Sequence, residues 1–202
     1  MKKIIIILAF FLQTNLMSQN LKFGVNASIN NETRTSIPHN YSLSGKDTFF
    51  NSETSYNYGI TVLYKLISNI YINTSVLYSV KKVSTVFSGP ADGPIYVDLR
   101  FDYISIAPKI EINPIFGLYV NAGPSIDFKV NTELNQSRYS AKVNETNSVR
   151  FGILMSVGYR IDFHNNNAFA AEFSYDKGLS STHPDYGGIY STSRAGLIFY
   201  FL

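Results

Sequence analysis

From about residue 20 onward, apolar residues recur with a period of two, and the segments carrying that period are joined by short and long connections in strict alternation. The segments run over about 20–30, 55–67, 70–82, 100–112, 115–130, 148–163, 168–178 and 190–202. Each is about 10 to 16 residues, against the 9–11 that a tilted strand needs to cross a bilayer. Three connections are tight and Asn-rich: Ser68-Asn69, Asn113-Pro114 and His164 to Asn167. Such residues suit hairpin turns. The other four, about 31–54, 83–99, 131–147 and 179–189, hold Ser, Thr, Asn, Gly and Pro, as in Ser88-Gly89-Pro90-Ala91-Asp92-Gly93-Pro94. Eight strands with all long loops at one end fit an all-β, eight-stranded antiparallel up-and-down transmembrane β-barrel. It has short periplasmic turns, long extracellular loops and both chain ends on the periplasmic side. A soluble sandwich gives no reason for that asymmetry.

The alternation assigns faces. Tyr56, Tyr58, Ile60, Val62, Tyr64 and Leu66 share one phase, opposite Asn57, Gly59, Thr61, Leu63 and Lys65. Phe151, Ile153, Met155, Val157, Tyr159 and Ile161 stand opposite Gly152, Leu154, Ser156, Gly158, Arg160 and Asp162. With the apolar phase outward, the mid-strand charges Lys22, Lys65, Lys109, Glu111, Asp127, Arg160, Asp162, Glu172 and Arg194 point inward. The outward-phase charges Lys82, Asp102 and Lys177 lie near loop ends, as they should when a cation on the lipid face costs roughly 2–4 kcal/mol at the midplane and little at the interface. An interior this narrow is filled by side chains. The expected lumen is a salt-bridge and hydrogen-bond network. Glycines at 24, 59, 117, 123, 152, 158 and 196 fall on the same inward phase, where they make room for large neighbours.

Met1-Lys2-Lys3, the apolar run Ile4 to Leu12 and the more polar Thr14 to Gln19 have the form of a secretory signal peptide. The expected division is a signal peptide over 1–19 and an outer-membrane barrel over 20–202. No later apolar run approaches the 18 residues of a membrane helix, so a mature chain that spans a bilayer does so as a closed barrel. Charged residues make up 15% of the chain, below the usual share of about 25%. Part of the surface is therefore expected to meet lipid. The formal charge of +3 includes Lys2 and Lys3, so it is no argument for nucleic acid. There is no Cys, which excludes disulfides and thiolate sites.

Chemistry is thinly supported. His39 and His183 sit in long loops and His164 in a tight turn. A hydrolase would need one of the loop histidines beside a Ser and an acid such as Asp185 or Glu32. A metal site from His39, His183 and Asp185 lacks characteristic spacing. The chain is therefore read as no enzyme, with no catalytic residue, metal or cofactor. Tyr41, Phe49, Phe50, Tyr186 and Tyr190 lie in or beside the long loops, as a recognition surface or as packing over the barrel mouth.

Arg194-Ala195-Gly196-Leu197-Ile198-Phe199-Tyr200-Phe201-Leu202 resembles the C-terminal targeting signal of outer-membrane barrels, with Arg194, Gly196, Phe199 and Phe201 in the matching roles and Leu202 as an extra terminal residue. The segment Tyr103 to Ile112, a turn, and Leu118 to Pro124 resemble the central hairpin of the Bacteroidetes outer membrane protein β-barrel domain family (porin-like, PorT-type). Phe151 to Tyr159 is similar to that family's next strand. The likeness covers about 20–202. It implies residence in the cell outer membrane, contact with its lipid, and handling by the barrel-assembly machinery. It brings no catalytic residues. The expected role is structural or surface-interacting, through extracellular loops that meet an unknown partner. The alternatives are a narrow channel or transport accessory, and a lipid-modifying enzyme.

Overall fold

Each tight turn obliges the two segments it joins to lie side by side and antiparallel. The computed structural model describes residues 20–36, 48–89, 93–136, 147–163, 167–180 and 189–201. Its strands are β1 (Leu21–Ser36), β2 (Thr48–Ser52), β3 (Thr54–Ile67), β4 (Ile70–Gly89), β5 (Gly93–Ile115), β6 (Leu118–Gln136), β7 (Val149–Asp162), β8 (Ala168–Gly178) and β9 (Ile189–Phe201). All pairs are antiparallel, β1 pairs with β9, and β4 pairs with β5, so the sheet closes on itself. β2 and β3 both run along β4, with Ser52 opposite Val83 and Asn57 opposite Ser79, a one-residue slip across Glu53. They fill one place in the wall, which therefore has eight positions.

The register fixes the dimensions. Partner to partner around the wall, Leu21 leads to Tyr64, Ile72, Ile110, Ala122, Met155, Tyr175, Ser193 and back to β1 at Asn31. The circuit returns ten residues further along the strand than it began. With ordinary strand rise and spacing, eight strands and that stagger give a tilt of about 40° and a backbone radius of about 8 Å. Such a cylinder is filled by its own inward side chains. At that tilt the 14 residues of β7 rise roughly 35 Å, enough to cross a hydrocarbon core of about 30 Å.

The outer face is apolar and exposed: Val25, Ile29, Ile60, Ile110, Phe151, Met155, Val157, Phe173 and Leu197 all lie there. A continuous apolar exterior of this extent is untenable in water and normal in lipid. The inner phase of β7 is buried at every second residue from Arg150 to Arg160.

Two expectations need correction. The connection read over 83–99 is mostly strand. β4 runs on to Gly89 and β5 starts at Gly93, with Gly89 opposite Gly93. Val83, Thr85, Val86, Phe87, Ile95, Tyr96 and Val97 are β-branched or aromatic and continue the ladder; only the Gly/Pro cluster between them marks the hairpin end. β1 and β6 likewise extend to Ser36 and Gln136, into stretches read as loops. The β5–β6 turn is Phe116-Gly117 instead of Asn113-Pro114. Gly117 has φ +79°, a conformation only glycine adopts freely, so the turn sits at the glycine. Gly117 is thus a turn residue and not part of the inner face.

Candidate functional site

The tilt and stagger bring inward charges from distant strands to the same height, and the described lumen is built in three storeys. At the end that carries the short turns, Leu63, Tyr119, Ala168, Ala170, Ile198 and Tyr200 pack together with Tyr71 against them. Arg160 lies over the rings of Tyr71 and Tyr119, at 5.0 and 5.6 Å. It donates to Glu111 at 2.7 Å, and Asn73 donates to the other oxygen of the same carboxylate at 2.8 Å. Outside this plug, Lys22 meets Asp162 at 2.6 Å in a partly exposed pair.

At mid-height, Glu172 accepts from Lys109 at 3.5 Å, Tyr119 Oη at 3.2 Å and Asn121 at 3.1 Å. Ser156 donates to Asn121. In the outer storey, one oxygen of Asp127 accepts from both Lys81 at 2.8 Å and Arg150 at 2.9 Å. Lys81 also stands 5.4 Å from the ring centre of Tyr103. Arg194 donates to Asp176 at 3.0 Å, and Ser125 donates to its other oxygen at 2.8 Å. Thr192 donates to Glu32 at 2.7 Å. Arg150 reaches the backbone carbonyl of Tyr190 at 2.7 Å.

Among the described residues, five buried inward cations (Lys81, Lys109, Arg150, Arg160, Arg194) stand among four buried inward anions (Glu32, Glu111, Asp127, Asp176) and Glu172, whose side chain keeps 10% exposure. The balance matters, because a charge at this depth is tolerated only when paired and hydrogen-bonded. The arrangement fills the described lumen with paired side chains.

The structure brings eight of the nine inward charges read from the sequence into ion pairs; Lys65 stands half-buried at the next inward place below Leu63. Sequence reasoning left Lys81, Arg150, Asp176 and Glu32 out of the network. The signal was present, since Lys81 shares the phase of Asn73 and Ser79, and Asp176 that of Glu172. Glu32, read as a loop acid, lies on β1 with its carboxyl turned into the barrel. His39, His164, His183, Asp185, Tyr41 and Tyr186 lie outside the described residues, as do the side chains of Phe49 and Phe50. Tyr190 is half-buried at the start of β9. No group of three His, Cys, Asp or Glu residues that could hold a metal ion exists among the described residues. Of the C-terminal residues, Phe199 and Phe201 face outward with ring centres 6.5 Å apart, while Arg194 and Gly196 face the lumen.

A closed, lipid-facing wall around a filled lumen defines the class: an integral transmembrane β-barrel of the outer-membrane kind. The profile of the family described as "Outer membrane protein beta-barrel domain" matches residues 13–183, and the chain belongs to that family. Its place is the outer membrane. No curated protein matches the chain. Among solved structures, the outer membrane protein OprG from Pseudomonas aeruginosa is similar at 12% identity and a TM-score of 0.56, over 90% of this chain and 96% of that one. Neisserial surface protein A is similar at 13% identity and 0.45, over 90% and 97%. The attachment invasion locus protein Ail of Yersinia pestis, solved with the heparin analogue sucrose octasulfate, is similar at 14% identity and 0.40, over 90% and 99%. At these identities the first of them supports the fold alone.

Proposed function

We propose that this barrel is a structural and surface-interacting protein that acts through its outer rim, and that it neither conducts solutes nor catalyses a reaction. The observation that carries this reading is the lumen, which is packed and charge-neutral through all three storeys. A second observation points to the rim. Above the apolar band, the outward phase of β4–β6 turns polar, with Lys82 opposite Arg100 and Arg100 opposite Glu133. Asp98 and Glu133 are exposed there. These strands continue past the level where β7 and β8 end, since Phe128 is already opposite Val149, the first residue of β7. The wall thus stands higher on one side.

Residues 1–19 are proposed to be a removable signal peptide, with the barrel domain over 20–202. Arg194, Gly196, Phe199 and Phe201 are proposed as the signal read by the barrel-assembly machinery, and the unknown partner as extracellular. The finer assignment to the Bacteroidetes PorT-type group rests on the hairpin Tyr103 to Pro124 and on Phe151 to Tyr159.

The test compares cells displaying the native chain with cells displaying a variant whose β4–β5 hairpin is shortened to the level of Lys82 and Arg100. Binding to an array of matrix glycans and proteins should fall with the shortened hairpin while the barrel keeps its folded gel mobility. Solute flux into proteoliposomes, with no surface binding by either chain, would overturn the reading.

A further inference from the structure

Short inward side chains converge at mid-height in the lumen. Ser75 of β4 stands opposite Ala107 of β5, and Ser174 of β8 comes to the same place from across the barrel. Side chains this short do not reach the axis of a cylinder of about 8 Å radius. The cavity that they border leaves the centre of a water-sized molecule about 20 Å³ to occupy.

The polar groups around this cavity are short of partners. Asn26 and Ser174 line it, and neither side chain has a hydrogen-bond partner among the described residues. Lys109 lines it too, with a side chain only 1% exposed. Its contact with Glu172, at 3.5 Å, is the longest ion pair of the described lumen. An ammonium carries three hydrogens to donate, and a charge left so thinly paired in a dry interior is costly. Glu172 also borders the cavity, and its carboxylate has lone-pair capacity for another donor.

We propose that the mid-lumen cavity is a binding site for one water molecule, which bridges the Lys109–Glu172 pair to Asn26 and Ser174. The size fits. A buried water needs roughly 10–15 Å³ for its centre and two to four polar partners, so one water enters and no larger solute does. The balance of donors and acceptors fits as well. A water accepts two hydrogen bonds and donates two; Lys109 gives, Glu172 takes, and the Asn26 amide and the Ser174 hydroxyl do either. The bridge supplies the partner that no side chain offers to the most loosely held ion pair of the lumen. Its place is fixed by the lumen alone, whatever the rim meets.

The test is NMR of the full barrel in nanodiscs with labelled Asn side chains, reading magnetisation transfer from water to the Asn26 amide protons. The native chain should show a cross peak with the sign of a water that stays longer than the particle takes to tumble. Ala107→Val and Ser174→Thr each put added methyl carbon into the cavity and keep its hydroxyl and amide groups. Each should abolish the cross peak while the barrel keeps its folded gel mobility. A signal relayed through the hydroxyl at position 174 would survive both substitutions, and a bound water would survive neither. If one variant does not reach the folded mobility, the other decides. A native chain without the cross peak, or a folded variant that retains it, would overturn the proposal.

Discussion

Asp127 holds two cations on one oxygen, 96% or more removed from solvent together with both partners. Replacing it with Ala strands Lys81 and Arg150 in a dry interior. Removing one member of such a pair costs about 3–5 kcal/mol. Asp127→Ala should therefore lower the temperature at which the barrel loses its folded gel mobility, and exchanging all three residues for apolar ones of similar volume should recover much of the loss. A second residue-scale expectation concerns Gly123. A Cβ there would collide with the backbone carbonyl of Pro108 and lie 2.8 Å from Lys109 Cα. Neither atom can swing away as a side-chain tip does. Gly123→Val should prevent β5 and β6 from pairing at that height, seen as chain that stays unfolded by gel mobility after refolding into detergent.

At the scale of the strand, alternation decides what each position tolerates. Met155 and Val157 face lipid on β7 and Ser156 faces the lumen between them. Met155→Arg should cost about 2–4 kcal/mol, the cost of a cation at the midplane, read from urea unfolding in lipid vesicles. The same residue type at position 177, where Lys177 already stands near the outer end of β8, should cost almost nothing. This much was legible in the sequence, because a period of two assigns every residue on a strand to a face once one is assigned. Strand ends were less legible. Val83 to Phe87 carry strand formers, but beside the Gly/Pro cluster that follows they read as loop, and only pairing with β5 reveals a hairpin. Asn113-Pro114 has turn chemistry, yet the chain turns where Gly117 can take a positive φ. A single-cysteine series is clean here, since the chain has no Cys. Asp98→Cys should react with a membrane-impermeant maleimide on intact cells and Phe116→Cys should not; the reverse pattern would invert the barrel.

At the scale of the molecule, stagger does what no local pattern can express. Lys109 and Glu172 are 63 residues apart, and Arg160 and Glu111 are 49 apart. Each pair meets because a ten-residue stagger around eight strands sets their heights. Inward phase was readable for each of these residues, but partnership was not, since it depends on a closure that only the whole circuit defines. The same circuit gives the narrow radius, and the radius makes this barrel a filled one; the proposed function places its exchanges with the outside at the rim. Single-channel recording of the purified barrel in planar bilayers tests that claim most directly. The account predicts a silent baseline at all voltages the bilayer withstands. Discrete, reproducible conductance steps would contradict it.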